Sequence, residues 1–458
     1  MMREPAFTLP PRPAPVALAG KLVLILGLGD TGLAAARWVA REGGTARVAD
    51  TRTAPPRKAD FAGELHSGAF TPALLGGVDL VCISPGLSLE TPLVRAALEK
   101  RIPIVGEIEL FAWHARAASR VLAITGTNGK STVTSLTGHV LRSAGVDAEV
   151  AGNIGPAALD ALARRLDGKQ KPPQLWVLEL SSYQLETTWS LEPDAAAMLN
   201  LTEDHLDRYA TLEEYGAAKA RIFQGAGVQV LNRDDPRSAA MTQAGRKCVT
   251  FGLDAPPHET DFGFVSGQLV RGREAILAAS ALPIHGLHNV ANALAACALA
   301  HAVGVPLEHL PKGLRTFKGL PHRLQRVAVR RGVEYYDDSK GTNVGATDAA
   351  LRGLDKRSVL ILGGEGKGQD FSPLRASVER FARRVLLIGR DAPLIEKALA
   401  DLPTERCATL DEAVRRAAQI AQPGEAVLLS PACASFDMFR DYRHRGEAFA
   451  AAVERLPV

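Results

Sequence analysis

One stretch, VLAITGTNGKSTVTSLTGHVLRSAG at residues 121–145, limits the possible folds more than any other part of the chain. A short apolar run precedes a loop that contains Gly126 and Gly129, and a segment with helical spacing then continues until Gly145. Apolar runs of this length favour a buried strand, and glycine is typical of tight turns and of helix ends. A strand, a glycine loop and a helix in this order predict an α/β domain that binds phosphate groups.

The residue types in this loop suit a nucleoside triphosphate. Backbone N–H groups can turn inward at the glycines, Lys130 can reach the outer phosphates, and Ser131 can ligate Mg²⁺. The loop departs from the general GxxxxGKST pattern because Ile124 stands where the first glycine is expected. A tight turn with a surface lysine is the alternative, which the strand and helix flanks disfavour. The residues predicted to bind the phosphates are Gly126, Thr127, Asn128, Gly129, Lys130, Ser131 and Thr132.

A second glycine motif lies nearer the start of the chain. In KLVLILGLGDTG, Gly27, Gly29 and Gly32 have GxGxxG spacing between a predicted strand and a predicted helix, and Asp50 ends the next strand 18 residues after Gly32. This pattern has the form of the dinucleotide fingerprint, in which the acid binds a ribose hydroxyl. Taken alone, it indicates an enzyme that uses NAD.

A chain of 458 residues exceeds the usual size of a single hydrophobic core, so about three domains are expected. Beyond residue 319, apolar strands such as SVLILGG alternate with helices such as SPLRASVERFARR, which predicts a mostly parallel sheet. We therefore predict three α/β domains: a Rossmann-like N-terminal domain, a central P-loop ATPase-type domain and a Rossmann-like C-terminal domain. Their predicted bounds are 1–112, with a loose proline-rich arm at 1–20, then 113–318 and 319–458.

Charge and cysteine content argue against several classes of protein. The chain has 54 basic and 50 acidic residues without a basic block, so no nucleic-acid partner is expected. Its five cysteines are widely spaced and form no CxxC pair, which argues against a disulfide framework and a zinc site. No uncharged apolar run approaches the roughly 18 residues of a membrane helix, and no signal peptide is evident. We expect a cytoplasmic monomer without membrane insertion.

Eight motifs, taken together and in this order, resemble those of the Mur ligases of peptidoglycan synthesis. They are TGTNGKST, LELSSYQLE, LTEDHLDRY, GLHNVANALAA, LPHR, DDSKGTN, GGEGKGQDFSPL and LSPACASFDMF. The resemblance covers the chain from about Lys21 to Glu447. It implies that the first domain binds the UDP of a sugar nucleotide, the central domain binds ATP, and the third binds the incoming amino acid. The GxGxxG motif would then bind uridine and diphosphate instead of NAD.

The resemblance also implies catalytic and metal-binding residues. Lys130 and Ser131 would hold the ATP phosphates and a first Mg²⁺, Glu179 would be a metal ligand, and His205 would join it at a second Mg²⁺. Lys219 matches a lysine that the family carries as a carbamate, a modification that turns the cation into an anion able to hold metal. The span from His205 to Lys219 is one residue shorter than expected. The alternatives are a solvated acid at Glu179, a helix cap at His205 and a solvated amine at Lys219.

The remaining binding residues are also implied by the resemblance. The adenine and ribose of ATP would contact Asn289, Asn292, Arg323 and Asp338. The UDP-sugar would contact Asp30, Thr31, Gly32, Asp50, Thr51, Arg52, Gly86 and Asn153. The D-glutamate pocket would contain Lys340, Thr342, Lys367, Ser435, Phe436 and Tyr442. Tyr442 stands where a phenylalanine is expected. The asparagines could instead be surface amides, the lysines ordinary loop lysines, and Ser435 a turn residue.

The last three motifs favour D-glutamate as the amino acid, because they lie in the domain that selects it. The implied reaction uses ATP to phosphorylate the L-alanine carboxylate of UDP-N-acetylmuramoyl-L-alanine, and the D-glutamate amine then attacks the acyl phosphate. Another amino-acid ligase of the superfamily, at a different muramoyl-peptide step or in folate polyglutamylation, is the nearest alternative. A dinucleotide-dependent oxidoreductase and a nucleotide-binding regulatory protein without turnover are alternatives from other classes.

Overall fold

The computed structural model describes residues 9–116, 118–205 and 208–457. Residues 1–8 of the predicted N-terminal arm and Asp207 of the LTEDHLDRY motif lie outside the described residues. The described chain forms three α/β units in sequence order, each built around its own sheet. The prediction of a three-domain α/β fold is confirmed.

The N-terminal unit contains a five-stranded parallel sheet in the order β3-β2-β1-β4-β5. The central strands are apolar and buried because helices cover both faces of a parallel sheet. Gly32 lies in the first turn of helix α1 (Asp30–Arg41), and an added Cβ there would lie 1.9 Å from the carbonyl oxygen of Gly27. A glycine is therefore needed where this helix packs on the loop that follows β1. The elements are β1 (Leu22–Leu26), α1 (Asp30–Arg41), β2 (Thr45–Asp50), β3 (Glu64–Ser67), β4 (Leu80–Ile83), α2 (Pro92–Glu99), β5 (Ile104–Val105) and α3 (Glu107–Ala115).

The central unit contains a nine-stranded sheet in the order β14-β13-β12-β11-β10-β9-β6-β8-β7. Its strands from β6 to β12 pair in parallel, and β12, β13 and β14 form antiparallel pairs at one edge. The elements are β6 (Arg120–Thr125), α4 (Lys130–Ser143), β7 (Ala148–Gly152), α5 (Ala158–Asp167), β8 (Leu175–Glu179), α6 (Ser182–Leu185), β9 (Ala195–Met198), α7 (Leu212–Ala220), β10 (Val228–Asn232), α8 (Pro236–Ala239), β11 (Cys248–Phe251), β12 (Phe262–Val265), β13 (Gln268–Arg271), β14 (Glu274–Ala278), α9 (Leu287–Ala302) and α10 (Leu310–Thr316).

The C-terminal unit contains a six-stranded sheet in the order β15-β16-β20-β17-β18-β19, which is parallel except for the β15–β16 pair. The elements are β15 (Gln325–Arg330), β16 (Val333–Asp337), α11 (Val344–Leu354), β17 (Ser358–Gly363), α12 (Arg375–Phe381), β18 (Ala382–Ile388), α13 (Ala392–Ala398), β19 (Thr404–Arg406), α14 (Leu410–Ile420), β20 (Ala426–Leu429) and α15 (Tyr442–Glu454). The predicted helix SPLRASVERFARR ends earlier than expected, because Ala382 and Arg384 already pair with β17.

Helix α3 connects the first two units. The boundary predicted between residues 112 and 113 falls inside this helix, whereas the boundary predicted at 318–319 falls between α10 and β15. Helix α3 packs against α5, and one carboxylate oxygen of Glu107 accepts a hydrogen bond from the backbone N–H of Leu159 at 2.6 Å. Among the described residues, every helix is too short or too polar to cross a membrane. All five cysteines are free thiols.

Candidate active site

A cavity of about 880 Å³ lies where the three units meet. The carboxyl ends of β6, β8 and β9 lead into it, as expected for ligand sites in open α/β sheets. Of the described residues of the N-terminal unit, Pro85 and Gly86 line its wall. The predicted site residues that line the cavity are Gly86, Thr127, Asn128, Gly129, Lys130, Ser131, Asn153, Glu179, His205, Lys219, Arg323, Lys340, Thr342, Lys367, Ser435, Phe436 and Tyr442.

The phosphate loop between β6 and α4 has the conformation that its glycines predict. Gly129 has a left-handed φ of 85°, and an added Cβ there would lie 2.6 Å from the side-chain oxygen of Asn292. The Nζ of Lys130 donates hydrogen bonds to the carbonyl oxygens of Gly126 at 2.9 Å and Thr127 at 2.8 Å. Burial lowers the pKa of Lys130, while the carboxylates of the site oppose that effect. The lysine is therefore held beside the loop rather than in bulk solvent.

Glu179 has the clearest features of a metal ligand. It ends β8, is 2% exposed, and accepts a hydrogen bond on Oε1 from Nδ2 of Asn153 at 2.7 Å. Its buried Oε2 has no hydrogen-bond partner among the described residues. An unpartnered buried carboxylate oxygen is costly unless a ligand satisfies it. Carboxylate and hydroxyl oxygens are donors that suit Mg²⁺, so Glu179 and Ser131 fit this ion.

Two observations qualify the predicted metal set. The Oγ of Ser131 accepts a hydrogen bond from Nη2 of Arg323 at 2.6 Å, so this hydroxyl already contacts a guanidinium. In the part of the chain that the structure describes, no group of three or more His, Cys, Asp and Glu side chains could hold a metal ion. The predicted set contains only two residues of those types, Glu179 and His205. Its other members are a serine and a lysine.

His205 lies in a mainly aromatic environment. Its Nδ1 is 2.7 Å from the hydroxyl of Tyr183, and its Nε2 is 3.8 Å from Oδ2 of Asp204. Burial lowers the pKa of His205, although Asp204 opposes the shift. The neutral imidazole, which is the form that binds metals, is therefore favoured.

Lys219 is almost completely buried in α7, with 1% exposure. Its Nζ donates to the carbonyl oxygen of Gly126 at 2.9 Å, the same oxygen that Lys130 contacts, and lies 4.5 Å from the ring centroid of Tyr215. Burial, and then the nearby ammonium of Lys130, hold the pKa of Lys219 well below its usual value. The structure thus favours an uncharged amine at this position.

A second cavity of about 340 Å³ also borders the phosphate loop, at Asn128, Gly129 and Thr132. The residues predicted to contact adenine and ribose all line it: Asn289, Asn292, Arg323 and Asp338. Nδ2 of Asn292 donates to Oδ1 of Asn289 at 3.1 Å, as their spacing on one helix face predicts. Burial raises the pKa of Asp338 to about 7, and its Oδ2 accepts from the hydroxyl of Ser430 at 2.7 Å. Asn128 and Gly129 line both cavities, and Thr132 lines this one.

The residues predicted to bind the amino acid form the C-terminal wall of the main cavity. Burial lowers the pKa of Lys340 to about 8, and its Nζ lies 3.9 Å from the ring centroid of Tyr442. The Nζ of Lys367 lies 3.8 Å from Oδ1 of Asp204 in the central unit. Phe436 is 70% exposed at the cavity wall. Two cations and two aromatic rings therefore border this part of the cavity.

Most of the residues predicted to bind UDP do not reach the main cavity. Asp30, Thr31 and Gly32 form the first turn of α1, and Asp50, Thr51 and Arg52 lie at the end of β2. The guanidinium of Arg52 donates two hydrogen bonds to the carboxylate of Asp50, at 2.8 and 2.7 Å. Together with the N–H of Leu28, Arg52 lowers the pKa of Asp50 to about 2. Of the residues predicted to bind the UDP-sugar, Gly86 and Asn153 line the main cavity, whereas those at the start of α1 and the end of β2 do not.

Several residues that line the cavity have no role implied by the sequence motifs, among them Asp204, Tyr215 and Asn343. Asn343 follows the DDSKG segment and exchanges two amide hydrogen bonds with Asn128, at 3.3 and 3.1 Å. Asp204 and Asn343 lie within the motifs LTEDH and DDSKGTN, so the motifs do mark both positions. The hydrogen bonds between Asn343 and Asn128 depend on tertiary structure and could not be predicted from the motifs.

Three family models match consecutive parts of the chain. They describe a Mur ligase MurD-like N-terminal domain at residues 21–106, a Mur ligase middle domain at 124–300 and a Mur ligase glutamate ligase domain at 322–433. The chain therefore belongs to the Mur ligase family, as its motifs predicted.

Full-length relatives are more specific. Proteins named UDP-N-acetylmuramoylalanine–D-glutamate ligase from Thiobacillus denitrificans and Aromatoleum aromaticum are 53% and 54% identical to this chain. Each alignment covers 96% of this chain, with 97% of the first relative and 98% of the second.

Solved structures support the fold. UDP-N-acetylmuramate–alanine ligase from Thermotoga maritima has a TM-score of 0.61 and 19% identity, over 94% of this chain and 99% of that chain. MurF from Acinetobacter baumannii also has a TM-score of 0.61, with 21% identity, over 96% of this chain and 92% of that chain. At these identities the likeness concerns the fold alone.

Proposed function

We propose that this Mur ligase joins D-glutamate to the L-alanine carboxylate of UDP-N-acetylmuramoyl-L-alanine, with release of ADP and phosphate, in peptidoglycan precursor synthesis. One observation carries the proposal. A single cavity is bordered by the phosphate-loop lysine, by a buried carboxylate with an unpartnered oxygen, and by the two lysines of the C-terminal wall. This arrangement suits a nucleotide, a metal ion and an acidic amino acid together.

The reaction needs activation because a carboxylate does not react with an amine at neutral pH. An L-alanine carboxylate oxygen attacks the γ-phosphorus of ATP, the bond from that phosphorus to the β–γ bridging oxygen breaks, and ADP leaves. The D-glutamate amine then attacks the carbonyl carbon of the acyl phosphate. The resulting tetrahedral intermediate loses a proton from nitrogen and expels phosphate, which leaves the amide.

Lys130 would offset the main electrostatic barrier of the first step. Bringing a carboxylate within 4 Å of a phosphate oxygen costs about 4 kcal/mol per unit-charge pair at an effective dielectric of about 20. The ammonium of Lys130 is already held at the phosphate loop, where it can contact the γ-phosphate. Mg²⁺ would supply further charge neutralisation when bound, with Ser131 holding one ion and Glu179, His205 and carbamylated Lys219 holding a second.

The environment of Lys219 supports carbamylation. Carbon dioxide reacts with the neutral amine, because the nitrogen lone pair must form the new N–C bond as one proton leaves. Burial and Lys130 favour that neutral form. The product is a carbamate anion, which would lie close to the ammonium of Lys130 instead of adding a second positive charge beside it.

The C-terminal unit would select and orient the amino acid. Lys340 and Lys367 offer cations for its two carboxylates, with Thr342, Ser435, Phe436 and Tyr442 around them. Holding the reactants in attacking geometry can supply up to roughly 7–11 kcal/mol, and an enclosed cavity protects the acyl phosphate from water. The residues at the start of α1 and the end of β2 would bind the uridine and diphosphate at the other end of the substrate.

Phosphate release from MgATP tests the function directly. We expect release with UDP-N-acetylmuramoyl-L-alanine and D-glutamate, and none when L-glutamate, L-lysine, meso-diaminopimelate or no amino acid replaces D-glutamate. Release with a different amino acid would contradict the D-glutamate assignment.

Two further proposals concern the whole protein. Sedimentation of the same preparation tests the proposal that the enzyme is a monomer. Fractionation of cells tests the proposed cytoplasmic location.

A further inference from the structure

Two residues at the start of α15, Tyr442 and Arg443, form a contact that the expected phenylalanine could not make. The Nε of Arg443 donates a hydrogen bond to the hydroxyl of Tyr442 at 3.2 Å, and the guanidinium carbon lies 5.6 Å from the same ring. On that ring, Nζ of Lys340 lies 3.9 Å from the centroid. The tyrosine thus keeps two cations near one wall of the main cavity.

The terminal nitrogens of Arg443 form no hydrogen bond or ion pair with the residues that the structure describes. Its side chain is exposed and lines the main cavity. Over the described ranges it forms no ion pair with a carboxylate, and its hydrogen bond to Tyr442 uses only the Nε donor. The terminal N–H groups of a guanidinium can bind two oxygens of a phosphate or carboxylate at once. Arg443 is therefore available to an anionic ligand.

The position of Arg443 relative to the N-terminal unit indicates which anion it contacts. Pro85 and Gly86 of that unit line the same cavity. The hydrogen bond to Tyr442 is the main cause that raises the pKa of Arg443, and the carboxylates of Asp441 and Asp30 contribute to the same effect. Asp30 is the first residue of α1, and helix starts after such glycine motifs bind diphosphates.

We propose that Arg443 binds the diphosphate of the sugar nucleotide from the C-terminal unit, opposite the start of α1, and that Tyr442 positions the guanidinium. This inference rests on the proposed function and extends it, because one substrate would then contact both terminal units. The amino-acid carboxylates already have Lys340 and Lys367 as partners. The ATP phosphates have Lys130 at the phosphate loop, whereas Asp30, at the start of α1 where the diphosphate is expected, is close enough to act on the charge of Arg443.

Calorimetric binding of UDP-N-acetylmuramoyl-L-alanine to the full chain tests the proposal. We expect Arg443→Ala to raise the Kd roughly tenfold, since a hydrogen-bonded charge pair is lost, and to weaken the dependence of Kd on salt. Tyr442→Phe should raise the Kd about two- to threefold, because the guanidinium stays but is less well held. Binding of uridine, which has no phosphate, should be unchanged in both variants. Arg440→Ala is the matched control, since Arg440 is exposed nearby but does not line the cavity.

The outcomes separate this inference from the proposed function. Equal Kd values for Arg443→Ala and Arg440→Ala would overturn the inference while the wild-type protein still binds and turns over its substrate. A raised KM for D-glutamate with an unchanged Kd for the sugar nucleotide would overturn it in favour of a carboxylate contact. If the wild-type protein binds no sugar nucleotide, the proposed function is wrong and the inference is overturned with it. Recovery of affinity in Arg443→Lys would support a charge contact over a structural role.

Discussion

At the scale of single residues, the two lysines that meet at the carbonyl oxygen of Gly126 must have different charges for the site to work. Lys130 lies in the phosphate loop beside the phosphate-binding glycines, whereas Lys219 is buried beneath it against Tyr215. Two ammonium groups on one oxygen would repel each other, which is one reason why the neutral amine of Lys219 is favoured. Carbamylation of Lys219 would replace this repulsion by attraction and would add an oxygen ligand for a metal ion.

We predict that Lys219→Ala lowers the rate of phosphate release at least 100-fold, because the metal loses an anionic ligand and its support. Added formate or acetate should restore part of the activity by occupying the space of the carbamate. Lys312→Ala, on the exposed face of α10, should behave as wild type. Full activity of Lys219→Ala without any added carboxylate would contradict the carbamate.

Glu179 gives a second prediction at this scale. Glu179→Gln keeps an oxygen that can accept the hydrogen bond from Asn153 but removes the negative charge. The apparent affinity for Mg²⁺ should therefore fall about 10–100-fold, as measured by phosphate release over a MgCl₂ titration. Chelation of the metal should abolish release in the wild-type protein. An unchanged Mg²⁺ titration in Glu179→Gln would show that this carboxylate is not a ligand.

How far single residues could be predicted depended on whether their partners are close in sequence. The phosphate-loop residues could be predicted from residue types, spacing and the flanking strand and helix, since Lys130 contacts carbonyl oxygens three and four residues away. In the sequence, Tyr442 differs from its surroundings only as a departure from the expected phenylalanine. Its hydroxyl has a neighbour in Arg443, but its ring contacts Lys340, about a hundred residues earlier in the chain.

At the scale of elements, the start of α5 depends on a residue from another helix. The residue at its N-cap, Ala157, has no side chain able to cap, and Glu107 of α3 accepts a hydrogen bond from the N–H of Leu159 instead. This carboxylate is buried, and its Oε2 has no partner among the described residues. Burial raises the pKa of Glu107 to about 7, although the hydrogen bonds at the helix start oppose the shift.

This raised pKa predicts a pH-dependent stability. Between the ordinary value of 4.5 and about 7, the folded protein holds a proton on Glu107 that the unfolded chain has released. The free energy of unfolding should therefore decrease as the pH rises through this window, by an amount on the order of 3 kcal/mol when complete. Glu107→Gln should remove this decrease and be more stable than wild type at pH 8. Urea unfolding midpoints from pH 5 to 8 measure it.

The control for this prediction is Glu99→Gln, at the exposed end of α2. It should leave the pH dependence of the urea midpoint as in wild type. A Glu107→Gln midpoint that still falls with rising pH, in parallel with wild type, would assign the effect to other groups.

Elements whose signals are local were predicted well, and those defined by distant pairing were not. Strand β6 and helix α4 follow from an apolar run, glycines and helical spacing. By contrast, ARR at residues 382–384 continues an apparent helix in the sequence, yet Ala382 pairs with Ser358 of β17. Strand pairing stabilised a conformation that local propensity alone did not indicate.

At the scale of the whole molecule, the cavity is closed by contacts between the central and C-terminal units. Asn128 and Asn343 exchange amide hydrogen bonds, and Lys367 lies 3.8 Å from Asp204. The sequence predicted the three units and most of the residues that they contribute. It could not predict this contact, because each partner is polar, lies on a loop and has no local signal for its distant neighbour.

The Asn128–Asn343 contact provides the last prediction. Asn343 also caps α11, since its Oδ1 accepts a hydrogen bond from the N–H of Ala346 at 2.8 Å. Serine is also a good cap but is too short to reach Asn128, so Asn343→Ser separates the two roles. We expect an unfolding midpoint close to wild type and a several-fold higher KM for D-glutamate, because closure over the amino acid loses two hydrogen bonds.

A double-mutant cycle with Asn128→Ala decides whether the effect comes from the contact itself. If the two amides act on each other, the double variant should have a KM for D-glutamate close to that of the more severe single variant, since the second substitution has no contact left to remove. Additive effects would mean that the residues act separately on the site. If the two amides are coupled, their contact stabilises closure of the units. Small-angle scattering with ATP analogue and sugar nucleotide should therefore show less compaction for Asn343→Ser than for wild type.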